Sequence, residues 1–113
     1  MLTVHGLKNC DTCRKATSWL TQNAIAFTFR DLRADGLART DVEAWLKALG
    51  PDAVINRRGT TWRGLSAEDQ ASDPVTLILA FPAIVKRPVF TWEGGLRIGF
   101  TDAVKADLLG LKG

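Results

Sequence analysis

The chain has few of the side chains on which enzyme chemistry usually runs: 113 residues carry one histidine, His5, and two cysteines. A structural zinc site wants four ligands, so one chain cannot complete a soft tetrahedral site here without carboxylates or a second copy. There are no paired carboxylates, no serine–histidine set, and no glycine loop placed before a helix to cradle phosphate. A dominant charge is also missing. Fifteen Lys and Arg against twelve Asp and Glu give a formal net charge of +3, far from the basic block of a dedicated nucleic-acid binder. No apolar run approaches the ~20 residues of a membrane span, and no charged leader precedes the first apolar segment. The expectation is a cytoplasmic monomer with neither a membrane nor a nucleic acid as direct partner. At 46% hydrophobic residues, the chain is expected to form a single domain, residues 1–113, around one core.

What remains is the run Lys8-Asn9-Cys10-Asp11-Thr12-Cys13-Arg14-Lys15. Its two cysteines stand three apart, after a short apolar segment and at the start of a helical pattern. A helix N-terminus presents unpaired N–H groups and the positive end of the macrodipole, which favours a thiolate. Thiolate, not thiol, attacks disulfides, and an ordinary cysteine of pKa about 8.5 is only a few per cent ionised at neutral pH. Residues three apart in one helical turn lie about 5–6 Å between Cα atoms, within disulfide reach. Lys8, Arg14 and Lys15 add positive charge nearby. Cys10, at the cap and the more exposed, is expected to be the nucleophile, and Cys13, on the apolar stripe, the resolving thiol. In a reducing compartment such a pair reads as redox chemistry, since a structural staple closing so short a loop would stabilise little.

The pattern along the chain gives the fold. Leu2–His5 is β-prone, with a loop over Gly6–Asn9. From Asp11 to about Gln22, Cys13, Ala16 and Leu20 make a helical stripe that Trp19 widens. Ala26–Arg30 reads as a second strand, parallel to the first through a right-handed crossover. Thr40 with Glu43 looks like a capping box before Val42, Trp45, Leu46 and Leu49, and Gly50-Pro51 stops that helix. Asn56–Gly64 lacks periodicity. Ser66 caps a turn through Gln70, and Asp73 with Pro74 starts a helix burying Leu77, Ile78 and Phe81. Val89–Trp92 and Leu96–Phe100 make a hairpin around Glu93-Gly94-Gly95. Thr101-Asp102 caps a last helix, with Val104, Leu108 and Leu109 inward. This order is that of an α/β domain of thioredoxin-like fold: a mixed four-stranded sheet flanked by helices, with a helical insertion. Trp19, Trp45 and Trp92 read as packing, and His5 as a packed histidine.

Val4 through Ala16 resembles the opening of the arsenate reductase/Spx/YffB-like (ArsC) family. Asn56-Arg57-Arg58-Gly59-Thr60-Thr61-Trp62-Arg63, Lys86-Arg87-Pro88-Val89 and Ile98-Gly99-Phe100 extend the match, and Gly-Thr-Thr-Trp-Arg is similar to the YffB-like branch. The resemblance implies Cys10 as reactive thiol, a cis peptide before Pro88 and Arg87 near the sulfur. It also implies a glutathione-dependent thiol reductase, with glutathione as co-substrate and no tightly held cofactor. Arg87 suits a carboxylate or oxyanion through a bidentate contact. Lys8, Asn9, Arg58, Arg63 and Pro88 are the expected substrate-binding residues. The three arginines at Arg57, Arg58 and Arg63 fit equally a solvated face or a basic rim for glutathione carboxylates, and Trp62 either core or groove.

Two other functions stay open. Arsenate reductases bind arsenate through arginines around the cysteine. Arg87 matches one of them, but Asn56 and Phe100 stand where the others would be. Spx-like members use a Cys-x-x-Cys as a switch governing binding to the RNA polymerase alpha subunit, and Cys10 and Cys13 reproduce that spacing.

Overall fold

The computed structural model describes residues 1–112. In chain order it forms β1 (Leu2–Gly6), α1 (Asp11–Gln22), β2 (Phe27–Asp31), α2 (Arg39–Leu49), α3 (Pro51–Val54), α4 (Thr60–Arg63), α5 (Ala67–Gln70) and α6 (Pro74–Ala80). A 3₁₀ turn at Pro82–Ile84 follows, then β3 (Val89–Trp92), β4 (Gly95–Ile98) and α7 (Asp102–Leu109). The chain divides into two compact units: Met1–Asp31 with the chain from Arg87 onward, and Leu32–Lys86.

The first unit holds the four-stranded sheet, in the order β2-β1-β3-β4. A twelve-residue helix between β1 and β2 lets them pair in parallel, Leu2 opposite Phe27 and Gly6 opposite Asp31. β1 and β3 run antiparallel, as do β3 and β4. Strand side chains alternate between faces, so Leu2 and Val4 share one face, with Phe90 opposite Val4. Ala16 and Leu20 of α1, Ile25, and Val104 and Leu108 of α7 close on that face as one buried cluster. Phe100 packs its ring edge-on to Trp19 at 5.7 Å and 6.3 Å from Phe90. The stripe of α1 is therefore the one its periodicity predicts.

Several boundaries differ from the expected ones. β1 runs on through Gly6, and β2 lies one residue further along than Ala26–Arg30. β4 stops at Ile98 because Gly99, at φ +85°, turns the chain and sends Phe100 out of the strand into the core. α7 is capped as expected, Thr101 Oγ1 accepting from the Val104 N–H at 3.2 Å, but Leu109 is exposed.

The second unit is helical. Its α2 buries Val42 and Trp45 and packs on α3 and α6. Thr40 is not its cap. The backbone is still extended at Ala38, whose carbonyl accepts from the N–H groups of Asp41 and Val42. Thr40 thus lies inside the first turn, and Glu43 reaches Arg39 one turn back at 3.9 Å. Leu49, expected inward, falls off the stripe and is exposed. Ser66 Oγ and Asp73 Oδ2 do cap their helices, accepting from Asp69 N–H and Thr76 N–H at 3.1 Å each. Among the described residues no helix is long and apolar enough to cross a membrane.

Leu20 is fully enclosed between α1 and the sheet. Leu20→Ala is expected to cost about 2–5 kcal/mol. Urea denaturation would read this as a lower midpoint at unchanged m-value.

Candidate functional site

The central strand β1 delivers the chain directly to the two cysteines. After Gly6 the backbone turns, the Cys10 N–H donating to Leu7 O at 3.1 Å. The Lys8 N–H donates to Asp31 Oδ2 at 3.1 Å, and Asp31 is a buried carboxylate at the end of β2, opposite Gly6. The parallel pairing thus brings a fixed hydrogen-bond acceptor to the point where the cysteine turn leaves the sheet. Asp31, one residue beyond the expected strand Ala26–Arg30, is a positioning residue; its strand-end place after an alternating run is the signal.

Cys10 is the N-cap of α1, extended at φ −97° and ψ 119°, and its carbonyl accepts the first helical bond from the Arg14 N–H at 3.0 Å. One turn on, Cys13 is 1% exposed, whereas Cys10 is half-buried; both are free thiols. Gly6 makes room for the second sulfur. A Cβ at Gly6 would lie 2.5 Å from Cys13 Sγ and 3.3 Å from its Cβ, so any side chain there would displace the thiol.

The two sulfurs are treated oppositely. Burial pushes the Cys10 thiol up, but the Cys13 N–H, the Cys13 thiol and the Arg87 guanidinium together outweigh it, and its pKa falls below the ordinary thiol value. Its sulfur closes no capping hydrogen bond of full geometry. The Cys13 N–H is nonetheless near enough to favour the charged form. Cys13 is pushed up to about 12, first by burial and then by the neighbouring Cys10, against the opposing pull of the Leu7 N–H and Arg87. One sulfur is thus ionised easily and the other is held as a thiol.

The cation acting on Cys10 is Arg87, which hydrogen-bonds its sulfur as well as attracting its charge. Arg87 lies two residues before β3, with Pro88 between, and β3 lies beside β1 in the sheet, so distant sequence meets the cysteine turn. The Arg87–Pro88 peptide is cis, as the resemblance implied, and Pro88 is fully buried. Lys8, Arg14 and Lys15, expected to supply the charge, are exposed, and Arg14 is paired with Asp11. Water and salt screen them. Asn9 is exposed on the same turn. His5 is buried and pairs its Nε2 with Thr91 Oγ1 at 2.9 Å.

The structure therefore gathers Cys10, Cys13 and Arg87. Arg58 and Arg63 belong to the second unit, both exposed. The Arg58 N–H donates to Asn56 Oδ1 at 3.1 Å, and Arg63 ends α4. Trp62, half-buried, carries the Arg57 guanidinium 5.4 Å above its ring, and Arg57 also pairs with Asp52.

The ArsC family model matches residues 5–107. An uncharacterized protein of Haemophilus influenzae is 37% identical over 106 residues, covering 90% of this chain and 93% of that protein. Global transcriptional regulator Spx 1 of Bacillus cereus is 28% identical over 107 residues, covering 90% and 82%. Among solved structures, a YffB protein superposes with a TM-score of 0.90 at 34% identity, covering 96% of this chain and 99% of that one.

The thiol values set a pH dependence. Only thiolate is alkylated, so the iodoacetamide rate at Cys10 should rise and level off at lower pH than for a free cysteine, while Cys13 stays unmodified through pH 10. Stability follows with opposite signs. The raised Cys13 contributes fully below the unfolded thiol value and loses its contribution as pH climbs toward about 12. The lowered Cys10 contributes above the unfolded value and loses its contribution as pH falls through its folded value. Equal alkylation profiles for the two cysteines would contradict this assignment.

Proposed function

The chain belongs to the ArsC family, and on that premise we propose that it is a glutathione-dependent thiol–disulfide oxidoreductase of the YffB-like kind. The observation that carries the reading is the opposite treatment of the two sulfurs one turn apart. A nucleophile needs ionisation and access; Cys10 has a lowered pKa and partial exposure. A resolving thiol should stay protonated and shielded until an intermediate forms, as Cys13 is.

The chemistry follows from these roles. The Cys10 thiolate attacks one sulfur of a disulfide, the S–S bond breaks, and the departing thiolate carries away the electron pair and takes a proton from solvent. The resulting mixed disulfide on Cys10 is released either by glutathione or by Cys13. In the second route Cys13 gives up its proton and attacks Cys10 Sγ, and the mixed S–S bond breaks to expel the second substrate thiolate. Two glutathione molecules then reduce the internal disulfide that remains, leaving as glutathione disulfide. Arg87 favours the thiolate before attack and can hold an anionic partner during it. Glutathione is a co-substrate in this scheme, and a cytoplasmic monomer suits it.

Arsenate reduction is the weaker reading. Phe100, where the resemblance places an arsenate-binding arginine, is packed against Trp19 and Phe90 and supplies no cation. A redox-switched regulator is the second reading, favoured by the Spx 1 relative and by the Cys10–Cys13 spacing.

Turnover separates the two. The reductase should reduce hydroxyethyl disulfide with glutathione, and Cys10→Ser should lower the rate by more than about 100-fold, as loss of a sole nucleophile does. Absent turnover together with redox-dependent retention of the RNA polymerase alpha subunit would replace the enzyme with the regulator.

A further inference from the structure

A cavity of about 320 Å³ opens beside the cysteine turn, between α1 and the edge strand β2. Leu7, Phe27 and Phe29 give it an apolar wall, and Thr17 completes the helix side with its hydroxyl already donated to Arg14 O at 3.1 Å. Cys13 forms part of the lining, so the cavity lies within one helical turn of the Cys10 sulfur. The charged members of the lining are Lys8 and Arg14, both cationic. Arg14 is already engaged by Asp11, which leaves Lys8 to meet an incoming anion. The volume is at the small end of the ~300–1,000 Å³ typical of small-molecule sites, about right for one substituted ring.

Its place in the sheet matters. β1 lies between β2 and β3, and Arg87 lies two residues before β3. The cavity therefore flanks the cysteine turn on the β2 side, and Arg87 on the β3 side. A disulfide presented to Cys10 has two arms, and the turn has two chemically different flanks to receive them.

We propose that this cavity is the subsite for the non-glutathione arm of the substrate, an aromatic thiol carrying a carboxylate, presented as its mixed disulfide with glutathione. The inference rests on the reductase reading. The Cys10 thiolate bonds to the glutathionyl sulfur, the S–S bond breaks, and the aryl thiolate leaves from the cavity with the electron pair. A second glutathione, deprotonated, attacks the Cys10-bound glutathionyl sulfur and leaves as glutathione disulfide, regenerating the Cys10 thiolate. The net reaction is mixed disulfide plus glutathione giving aryl thiol plus glutathione disulfide. The ring would lie against Phe27, Phe29 and Leu7, and its carboxylate would face Lys8.

The test compares two mixed disulfides of glutathione, one with 4-mercaptobenzoate and one with mercaptoethanol, on wild type, Thr17→Trp and Lys8→Gln. Each kcat/KM is divided by the rate constant of the same mixed disulfide with glutathione alone, which removes the difference in leaving-group acidity. The wild-type ratio should then favour the mercaptobenzoate compound by about tenfold, the discrimination a small apolar pocket can give. Thr17→Trp, which fills the cavity, should bring that ratio close to one. Lys8→Gln, an exposed loop change that leaves the fold alone, should lower it about fivefold, the worth of one exposed ion pair. An equal ratio in wild type, or one that neither variant moves, overturns the subsite. Binding of unreactive 4-(methylthio)benzoate is read separately, by amide shifts at Leu7, Thr17 and Phe29. Those shifts with no turnover of either disulfide keep the subsite and remove the reductase; no shifts in wild type remove the subsite whatever the turnover.

Discussion

The turn from Cys10 to Cys13 places one sulfur at the solvent boundary and the other within the packed face of α1, and the rest of the site follows from that division. A helix start favours negative charge through the unpaired N–H groups of its first turn, and the cap side chain lies over that opening, as the Cys10 sulfur lies near the Cys13 N–H. A residue one turn further on shares the helix but not the opening. The pair thus acquires two acidities from one local geometry, with the Arg87 guanidinium adding to the difference at Cys10.

Holding that turn in place falls to the sheet. β1 is an interior strand, paired on one side with β2 and on the other with β3, so its end is among the best-fixed points of the first unit. From β2 comes Asp31, which takes the Lys8 N–H; before β3 comes Arg87, which reaches the Cys10 sulfur. Each neighbour of the central strand contributes one group. Parallel pairing on one side and antiparallel on the other bring the C-terminal end of β2 and the N-terminal end of β3 to the same edge as the end of β1. A thiol site at that edge can draw on three strand ends without a long loop.

The parts of this arrangement legible in the sequence are those with a period or a cap chemistry. The α1 stripe, the Asp73-Pro74 start and the Thr101 cap each come from local rules that the tertiary structure leaves intact. Thr40 and Glu43 satisfied a local rule too, but the chain had already turned helical at Arg39, and an i,i+4 ion pair took the glutamate. The helices Pro51–Val54 and Thr60–Arg63 are four residues each, too short to show a period. Gly6 reads as loop because glycine usually marks turns, and Asp31 falls just past the expected strand, whereas here one admits a sulfur and the other anchors a backbone. The meeting of Arg87 with Cys10 is a contact between distant segments, and it was accessible only through the family resemblance.

The missing side chain at Gly6 carries one more consequence. The Cys13 sulfur occupies the space in which a Cβ of Gly6 would stand, so in the dithiol form the glycine leaves no void. Drawing that sulfur across to Cys10 would vacate a volume of roughly a methyl group on the inner side of the turn. The reduced chain is then the better-filled one, and a bridged form would tend to revert for a reason of packing as well as of electron supply.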